Sequence, residues 1–290
     1  MKYRLVLRAL FFTFTAQTSA VIASPQEFTA QLSALEKKHS GRLGVAVVSG
    51  GATLFSYRQD ERFAMCSTFK ALLAGAILAK VETKAESLLR AIPFSDSDIL
   101  DYAPITKSKL QTGQMTVAEL NAASIQYSDN TAANLLLETI GGPEGLTTYL
   151  RSIGDNITRL DRNEPSLNSN IAGDLRDTTT PQAMAETLQK IVIDDYLAPA
   201  SKEQLTLWML GNTTGANKLR AGFNPDWMIG DKTGSCANGA SNDVAIVFPK
   251  ELAPFTIAVF YTGSGASNDE KNAVIAEVAG ITETMLLERR

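Results

Sequence analysis

Strand-like segments stand at both ends of this chain, and a long helical pattern separates them. Near the start, a valine-rich run over residues 43–48 and a second run over 52–57 are joined by two glycines, which predicts a hairpin of two strands. Near the end, apolar runs over 244–248 and 255–261 predict two more strands. Strands at both ends with helices between them predict one sheet built from both termini, because a sheet must bury one face against another layer.

The middle of the chain, from about residue 67 to 210, mostly has the apolar spacing of amphipathic helices. The segments with this spacing, including two that flank the strands, are 26–38, 71–81, 117–127, 131–140, 181–193 and about 272–287. This predicts an α/β protein with two lobes, a sheet lobe from residues 24–62 and 211–290 and a helical lobe from 63–210. A cleft between two such lobes is a common place for a small-molecule site.

The first 23 residues differ from the rest of the chain. Three basic residues lie among the first eight, an apolar stretch follows over residues 9–14, and small residues lead to a cleavage site after Ala23, or alternatively after Ala20. This layout predicts a secretory signal peptide. The alternative is a membrane anchor, but the apolar stretch is far shorter than the roughly 20 residues that span a bilayer. We therefore expect a mature chain without a membrane anchor.

The charge and the histidine content of the chain argue against several classes of function. The net charge is −4 and no basic patch stands out, which argues against nucleic acid as a partner. The single histidine, His39, lies in a polar stretch that predicts a solvated helix end. A Ser-His-Asp triad needs a histidine beside the nucleophile, and zinc sites commonly use several. A serine nucleophile in this chain would need a lysine or a carboxylate as its base.

Ser67 and Lys70 are the fixed positions of an S-x-x-K motif at the start of a predicted helix. Residues three apart share a helix face, so the amine can approach the hydroxyl. Serine is a weak nucleophile until a base takes its proton, and lysine can do so only if burial or nearby cations lower its pKa. The helix N-terminus also offers N–H groups to a developing oxyanion. Alone, the motif is equally typical of an ordinary helix start.

Two tripeptides, S-D-N at 128–130 and K-T-G at 232–234, occur once each. In the first, Ser128 can pass a proton and the Asn130 amide can bind a substrate, although Asp and Asn before a helix also serve as caps. The second is predicted to begin a strand. Its cation, hydroxyl and glycine permit a carboxylate-bearing ligand to approach the strand edge. The alternative is a turn with a solvated lysine.

Residues 159–180 form a long polar stretch with alternating charges, prolines and asparagines. A loop of this length inside a compact protein is usually functional or disordered. Arg162 and Asp177 are candidates for an ion pair across its neck. Glu164 and Asn168 could hold one water between them, which the carboxylate would activate as a general base. The alternative is that both are solvated loop residues.

The three motifs occur in the order S-x-x-K, S-D-N, K-T-G, a set that is typical of class A β-lactamases and penicillin-binding proteins. Further matches are the R-L-D-R segment at 159–162, the segment 173–181 and Asn242-Asp243. Together with the three motifs, they show that essentially the whole mature chain resembles the class A serine β-lactamases. The resemblance implies a two-lobed α/β fold of the serine β-lactamase/D,D-peptidase type. Its antiparallel sheet comes from both termini and is flanked by helices, and an all-helical lobe is inserted.

The resemblance also implies an activity: hydrolysis of β-lactams, and hence antibiotic resistance, through a covalent acyl-serine ester. Ser67 would attack the lactam carbonyl, and Lys70 and Glu164 are the candidate bases for this step, a choice that stays open. Glu164 with Asn168 would direct the water that breaks the ester, and Ser128 would pass a proton to the lactam nitrogen. The family implies no metal or cofactor, and we expect a monomer.

The backbone N–H groups of Ser67 and Ser235 would form the oxyanion hole. The residues that the resemblance places at the substrate are Tyr102, Asn130, Asn168, Lys218, Lys232, Thr233, Gly234 and Ser235. Many family members carry an arginine shortly after K-T-G that helps to hold the substrate carboxylate, whereas residues 239–242 contain none. We expect Lys218 to take that role.

Cys66 precedes the nucleophile and Cys236 follows the K-T-G-S stretch. From the sequence alone, two free buried cysteines are the alternative to a bond. The pairing resembles the branch of class A that includes carbapenem-hydrolysing enzymes, and this resemblance implies a Cys66–Cys236 disulfide. Carbapenem hydrolysis stays open, because the disulfide alone does not set that specificity.

Export and a disulfide favour a bacterial periplasm, with a secreted Gram-positive enzyme as the alternative.

Two related functions share these motifs. A penicillin-binding D,D-peptidase would have the three motifs but not the water site of Glu164 and Asn168. A β-lactam sensor domain would be acylated and then stall. A non-catalytic binding module would not need Lys70 or Glu164.

Overall fold

The computed structural model describes residues 24–289. Its strands are β1 (Arg42–Ser49), β2 (Ala52–Tyr57), β3 (Phe63–Ala64), β4 (Ala91–Pro93), β5 (Gln114–Thr116), β6 (Thr178–Thr179), β7 (Met228–Cys236), β8 (Ala240–Phe248) and β9 (Phe255–Thr262). Its α-helices are α1 (Pro25–His39), α2 (Phe69–Glu82), α3 (Val117–Gln126), α4 (Asn130–Thr139), α5 (Gly142–Ser152), α6 (Pro181–Val192), α7 (Pro199–Leu210), α8 (Leu219–Gly222) and α9 (Asn268–Glu288).

The central sheet contains five antiparallel strands in the order β2-β1-β9-β8-β7. Strand β1, from the start of the chain, pairs with β9 from its end, with Val45 opposite Val259. This confirms the prediction of a sheet built from both termini. The helices α2 to α7 lie between the two sets of strands in the sequence, which is the α/β arrangement that the resemblance implied.

Both faces of this sheet are buried, which explains why its central strands are apolar without alternation. Successive side chains of a strand point to opposite faces. Val45 and Val47 pack into a core that also contains residues of α1 and α9. Ala46 and Val48 pack into a second core, shared with α2, α3, α4 and α6.

Local signals set several helix ends. The Ser24 hydroxyl accepts a hydrogen bond from the Glu27 N–H, and Pro25 occupies the first turn of α1, where its missing N–H costs nothing. Ser267 and Glu270 form a capping box that begins α9 four residues earlier than the apolar pattern predicted. The predicted helices and strands are otherwise confirmed, apart from shifts of one to a few residues at their ends.

One strand boundary was predicted wrongly. K-T-G does not begin a strand but lies in the second half of β7, which starts at Met228. The first residues of β7 include Gly230 and the buried Asp231, so they lack the apolar run that marks a strand. Helices α5, α7 and α8 and the short strands β3 to β6 were also not singled out. The first turn of α5 contains glycines and a proline, which hide its helical pattern.

Within residues 24–289, no helix is both long and apolar enough to cross a bilayer. The signal peptide predicted for residues 1–23 lies outside the described residues.

Candidate active site

Ser67 lies in a single 3-10 turn, Cys66–Thr68, that runs directly into α2. This places the Ser67 side chain about one helical turn before Lys70. The Nζ atom of Lys70 lies 3.0 Å from Ser67 Oγ. Lys70 is completely buried, while the Ser67 side chain keeps a small exposed edge at the cleft. The S-x-x-K motif therefore brings a serine hydroxyl and an amine into direct contact, as its spacing predicted.

The Lys70 ammonium is surrounded by acceptors. Its Nζ donates to Asn130 Oδ1 at 2.6 Å and to the Ser128 carbonyl at 2.9 Å, and it lies 3.1 Å from Glu164 Oε1. Burial lowers the pKa of Lys70, because the charged form loses its hydration, and the nearby Glu164 and Asp129 carboxylates offset only part of this effect. An amine with a lowered pKa beside a serine hydroxyl meets the requirement for a base.

The central residue of the S-D-N tripeptide, Asp129, fixes the position of the tripeptide through its hydrogen bonds. Asp129 is buried, caps α4 by accepting from the Ala132 N–H, and also accepts from Thr106. The alternative that this motif caps a helix is therefore confirmed for Asp129. Ser128 adopts a left-handed backbone with φ of 57°, which turns its hydroxyl toward the cleft between two lysines. Its Oγ lies 3.4 Å from Lys70 Nζ and 3.1 Å from Lys232 Nζ.

Glu164 brings the long loop into the same cluster. Its Oε1 lies 3.4 Å from Ser67 Oγ, and its Oε2 accepts from Asn168 Nδ2 at 2.5 Å. The peptide bond to Pro165 is cis. The Asn134 side chain holds the Glu164 main chain on both sides, donating to its carbonyl at 2.9 Å and accepting from its N–H at 3.0 Å. Asn134 was not identified from the sequence, although it lies four residues after Asn130 on the same face of α4.

The ion pair that the sequence predicted between the two ends of this loop, its neck, is present. Arg162 Nε and Asp177 Oδ2 are 2.6 Å apart, and Asp177 is fully buried. Asp177 also accepts from the main-chain N–H groups of Asp161 and Arg162. Because the Asp177 side chain satisfies donors from the opposite arm of the loop, both arms are fixed where the loop begins and ends.

Strand β7 forms the opposite wall. Its glycine lets it pass close to Ser67: a Cβ at Gly234 would lie 3.1 Å from the Ser67 N atom and 2.8 Å from the Met65 carbonyl oxygen. Lys232 is fully buried, and the Thr233 hydroxyl lies 2.5 Å from that of Thr214. Burial, reinforced by the Lys70 cation, lowers the pKa of Lys232 to about 7.

A disulfide joins the turn that carries Ser67 to β7. Cys66 and Cys236 are bonded, with their Cα atoms 5.7 Å apart, and neither cysteine is free. The Asn242 amide braces the same corner by donating to the Ala64 carbonyl at 3.0 Å. The alternative of two free cysteines is thereby excluded.

Lys218 lies at the far end of the cleft. It is buried, and its Nζ donates to the hydroxyl of Ser241 on β8. Burial lowers the pKa of Lys218, against the opposing effect of the buried Asp243 carboxyl. Its neighbour Arg220 points elsewhere, with Nε 2.5 Å from Asp231 Oδ1.

These residues surround a cleft of about 450 Å³. The side chains that line it are Ser67, Tyr102, Ser128, Asn130, Asn168, Thr214, Lys218, Thr233, Gly234, Ser235, Ser241, Asn268 and Asn272. Of the predicted catalytic and substrate-binding residues, only Lys70, Glu164 and Lys232 do not line it; they are buried and contact lining residues from behind. Tyr102, 54% exposed, stands at the rim.

Four lining residues were missed from the sequence: Thr214, Ser241, Asn268 and Asn272. They come from the segment before α8, from β8 and from the start of α9. Single serine, threonine and asparagine residues carry no spacing signal, so only the folded chain brings them to the site. Within residues 24–289, no group of three or more His, Cys, Asp or Glu side chains is arranged to hold a metal ion.

Comparisons with known proteins show the family of this chain. The model of the β-lactamase enzyme family matches residues 27–284. The chain is 44% identical to β-lactamase OXY-2 of Klebsiella oxytoca over 265 residues, 91% of each protein. It is also 44% identical to the carbapenem-hydrolyzing β-lactamase KPC of the same species over 270 residues, 92% of this chain and 89% of that one.

Solved structures show the same fold. The reconstructed class A β-lactamase of the last common ancestor of Gram-negative bacteria superposes with a TM-score of 0.87 at 53% identity, over 89% of this chain and 99% of that one. The putative class A β-lactamase PenP of Rhodopseudomonas palustris gives a TM-score of 0.86 at 47% identity, over 88% and 98%. On the family match, these identities and the shared fold, the chain belongs to the class A β-lactamase family, in its disulfide-containing branch.

Proposed function

We propose that this β-lactam hydrolase works through an ester on Ser67 that a water activated by Glu164 then breaks. The observation that carries the proposal is the cluster of Ser67, Lys70 and Glu164, in which each side chain contacts the other two at 3.0 to 3.4 Å. Lys70 lies between hydroxyl and carboxylate, so a proton that leaves Ser67 can be taken by either base or passed from one to the other. The product is an opened β-lactam, which accounts for antibiotic resistance.

The later proton transfers follow from the same contacts. Ser128 Oγ lies between the Lys70 and Lys232 ammonium groups, which suits it to protonate the lactam nitrogen. The Ser67 and Ser235 N–H groups are proposed as the oxyanion hole, supported by the close approach of β7 at Gly234. Glu164 and Asn168 are proposed to hold the attacking water.

The two walls of the cleft support the division of the chain into two lobes. Five lining residues, Ser67 to Asn168, belong to the proposed helical lobe of residues 63–210. The other eight, Thr214 to Asn272, belong to the lobe formed by 24–62 and 211–290. We propose that the substrate binds between these lobes, with Asn130 on one side and Thr233 on the other.

Lys218 is proposed to replace the missing arginine as a cation for the substrate carboxylate. Changing Lys218→Ala is expected to raise KM for benzylpenicillin about 10- to 100-fold with little change in kcat, because a charge-assisted hydrogen bond contributes about 1.5–3 kcal/mol and is present in ground and transition states alike. Steady-state kinetics measures both constants. Lys250→Ala, which removes an exposed lysine paired with Asp226, is the control and should leave KM unchanged. An unchanged KM in Lys218→Ala would show that Lys218 does not bind the substrate carboxylate.

The pKa of Lys232 predicts a pH dependence. Below about pH 7 the ammonium is charged and attracts the substrate carboxylate, and above it this charge is lost. We therefore expect KM for benzylpenicillin to rise up to about tenfold between pH 6 and pH 8, with a weaker change in kcat because the bound carboxylate retains the proton. Lys232→Arg should abolish the rise, since guanidinium stays charged. A wild-type KM that does not vary over this range would contradict this assignment.

Turnover of a chromogenic cephalosporin by the purified mature protein separates the proposed function from its rivals. A hydrolase converts many equivalents per enzyme, whereas a penicillin-binding peptidase or a sensor releases about one equivalent and stops. The same assay with penicillins and carbapenems ranks the substrates. We propose penicillins and cephalosporins as substrates and carbapenems as the class to test next, since a 44% identical relative is a carbapenem-hydrolyzing β-lactamase.

We also propose that the enzyme is exported to the bacterial periplasm and acts as a monomer. Export is supported by the charge and apolar pattern of residues 1–23 and by the disulfide, which persists in oxidising compartments. The N-terminal sequence of the protein isolated from periplasm tests the cleavage site after Ala23.

A further inference from the structure

The turn between β7 and β8 is fastened to the long loop beside the water site. Asn170 Nδ2 donates to the Ala237 carbonyl at 2.7 Å and to Thr262 Oγ1 at 2.9 Å. The Asn170 carbonyl in turn accepts from Asn238 Nδ2 at 2.5 Å, and the Ala237 N–H donates to the Asn168 carbonyl at 3.1 Å. We call these five residues the Asn170 latch.

The turn is fixed independently of the loop, so it can serve as an anchor. It directly follows Cys236, which is bonded to Cys66 beside the nucleophile. The Asn238 carbonyl accepts from the Gly263 N–H at 2.9 Å, on the end of β9. Gly239, at a φ of 68°, packs so closely that a Cβ would lie 2.1 Å from the Ser264 carbonyl oxygen. The turn therefore holds its position through the sheet and the disulfide.

The loop, in contrast, is anchored before Asn168, where Leu167 is buried and Asn134 holds the Glu164 main chain, but it is exposed just beyond Asn170. Residues 171–173 are exposed, and the ion pair of Arg162 with Asp177 lies at the neck. The latch therefore holds the Asn168 main chain from one side, while the Asn168 side chain donates to Glu164 Oε2 on the other.

Asn170 is suited to this position by its backbone. It has φ of 42° and ψ of 51°, the left-handed region that asparagine tolerates better than most residues. It is half-buried, and its amide donates to two acceptors at once. We propose that Asn170 is a positioning residue for deacylation, which holds the Asn168–Glu164 pair at the distance needed to bind and activate the attacking water. This inference rests on the proposed function, because it assumes that Glu164 and Asn168 direct that water.

Asn170→Asp tests the proposal. Aspartate keeps the size and the tolerance of the left-handed backbone but presents an acceptor to the Ala237 carbonyl, so the Asn170–Ala237 hydrogen bond of the latch is lost. We expect deacylation to slow about tenfold, while the rate of acylation stays within about twofold of wild type. Stopped-flow measurement with a chromogenic cephalosporin should then show a burst of one equivalent before a slow steady state. Asn163→Asp, at an exposed position of the same loop, adds the same charge and should give no burst.

Two outcomes would overturn the inference. The first is a deacylation rate in Asn170→Asp equal to that in Asn163→Asp. The second is an equal slowing of acylation and deacylation, which a general loosening of the active site would produce. If Asn170→Asp does not fold, Asn170→Gly keeps the left-handed backbone, removes the amide and must show the same burst. Glu164→Gln is measured in parallel. If it fails to accumulate acyl-enzyme, the proposed function is wrong; if it accumulates acyl-enzyme and neither Asn170 variant does, only the latch is wrong.

Discussion

Replacing Ser67 by alanine is expected to lower kcat/KM for penicillins and cephalosporins by at least about 10⁴-fold, because covalent catalysis loses its nucleophile and no other hydroxyl contacts Lys70 as closely. The remaining cleft should still bind substrate, so KM should change far less than kcat. Hydrolysis is measured with a chromogenic cephalosporin. Ser166→Ala, at an exposed serine of the long loop, is the matched control and should keep wild-type activity.

A Ser67→Ala variant with activity within about tenfold of wild type would mean that another residue attacks the lactam. Thermal unfolding of the variant should match that of wild type to within a few degrees, since Ser67 lies at the edge of the cleft. A large loss of stability would instead assign the serine a structural role, and the loss of activity would then not identify the nucleophile.

Glu164→Gln is expected to lower steady-state turnover by about 10² to 10⁴-fold, because glutamine cannot take a proton from the attacking water. The glutamine keeps the size of the side chain and can still accept from the Asn168 amide that now lies 2.5 Å from Glu164 Oε2. Acylation should be slowed less than deacylation, since Lys70 still contacts the Ser67 hydroxyl. Rapid-mixing kinetics separates the two steps.

The control for this change is Glu203→Gln, at an exposed position of α7, which removes a carboxylate of the same kind outside the cleft. It should turn over substrate at the wild-type rate. If Glu164→Gln did the same, Glu164 would not be the base for deacylation.

The sheet could be predicted from the sequence because its strands are apolar in the places where both faces are buried. Residues 43–48 and 255–261 correspond to β1 and β9, which pair at the centre of the sheet. Strand β7 could not be predicted in the same way. Its buried polar residues, Asp231 and Lys232, interrupt the apolar pattern, so the sequence predicted a later start for this strand.

The contact within one helical turn of the site could be predicted from the sequence, but the contacts between its distant segments could not. S-x-x-K has a spacing that a helix turns into a contact, so the approach of Lys70 to Ser67 follows from local structure alone. The contacts of Ser128 with Lys232 and of Glu164 with Ser67 join residues about 100 positions apart. Only the packing of the strands and helices brings these together.

The positions missed in the sequence share a physical reason. Asn134, Thr214 and Asn170 act through side-chain amides or hydroxyls bound to main-chain groups or other hydroxyls. Such residues are common in turns and loops, and their type does not reveal a partner that is distant in the sequence. The disulfide is similar: two cysteines 170 residues apart could be paired by family resemblance but not by spacing.

Time-resolved mass spectrometry of Glu164→Gln mixed with a cephalosporin tests the central claim most directly. We expect the intact mass to rise by one acyl group within the first turnover and to persist, and peptide mapping to place the acyl group on Ser67. Wild-type enzyme under the same conditions should show almost none of this species while it consumes many equivalents. An adduct on another residue, or a variant that stays unmodified while it hydrolyses substrate, would contradict the proposed mechanism.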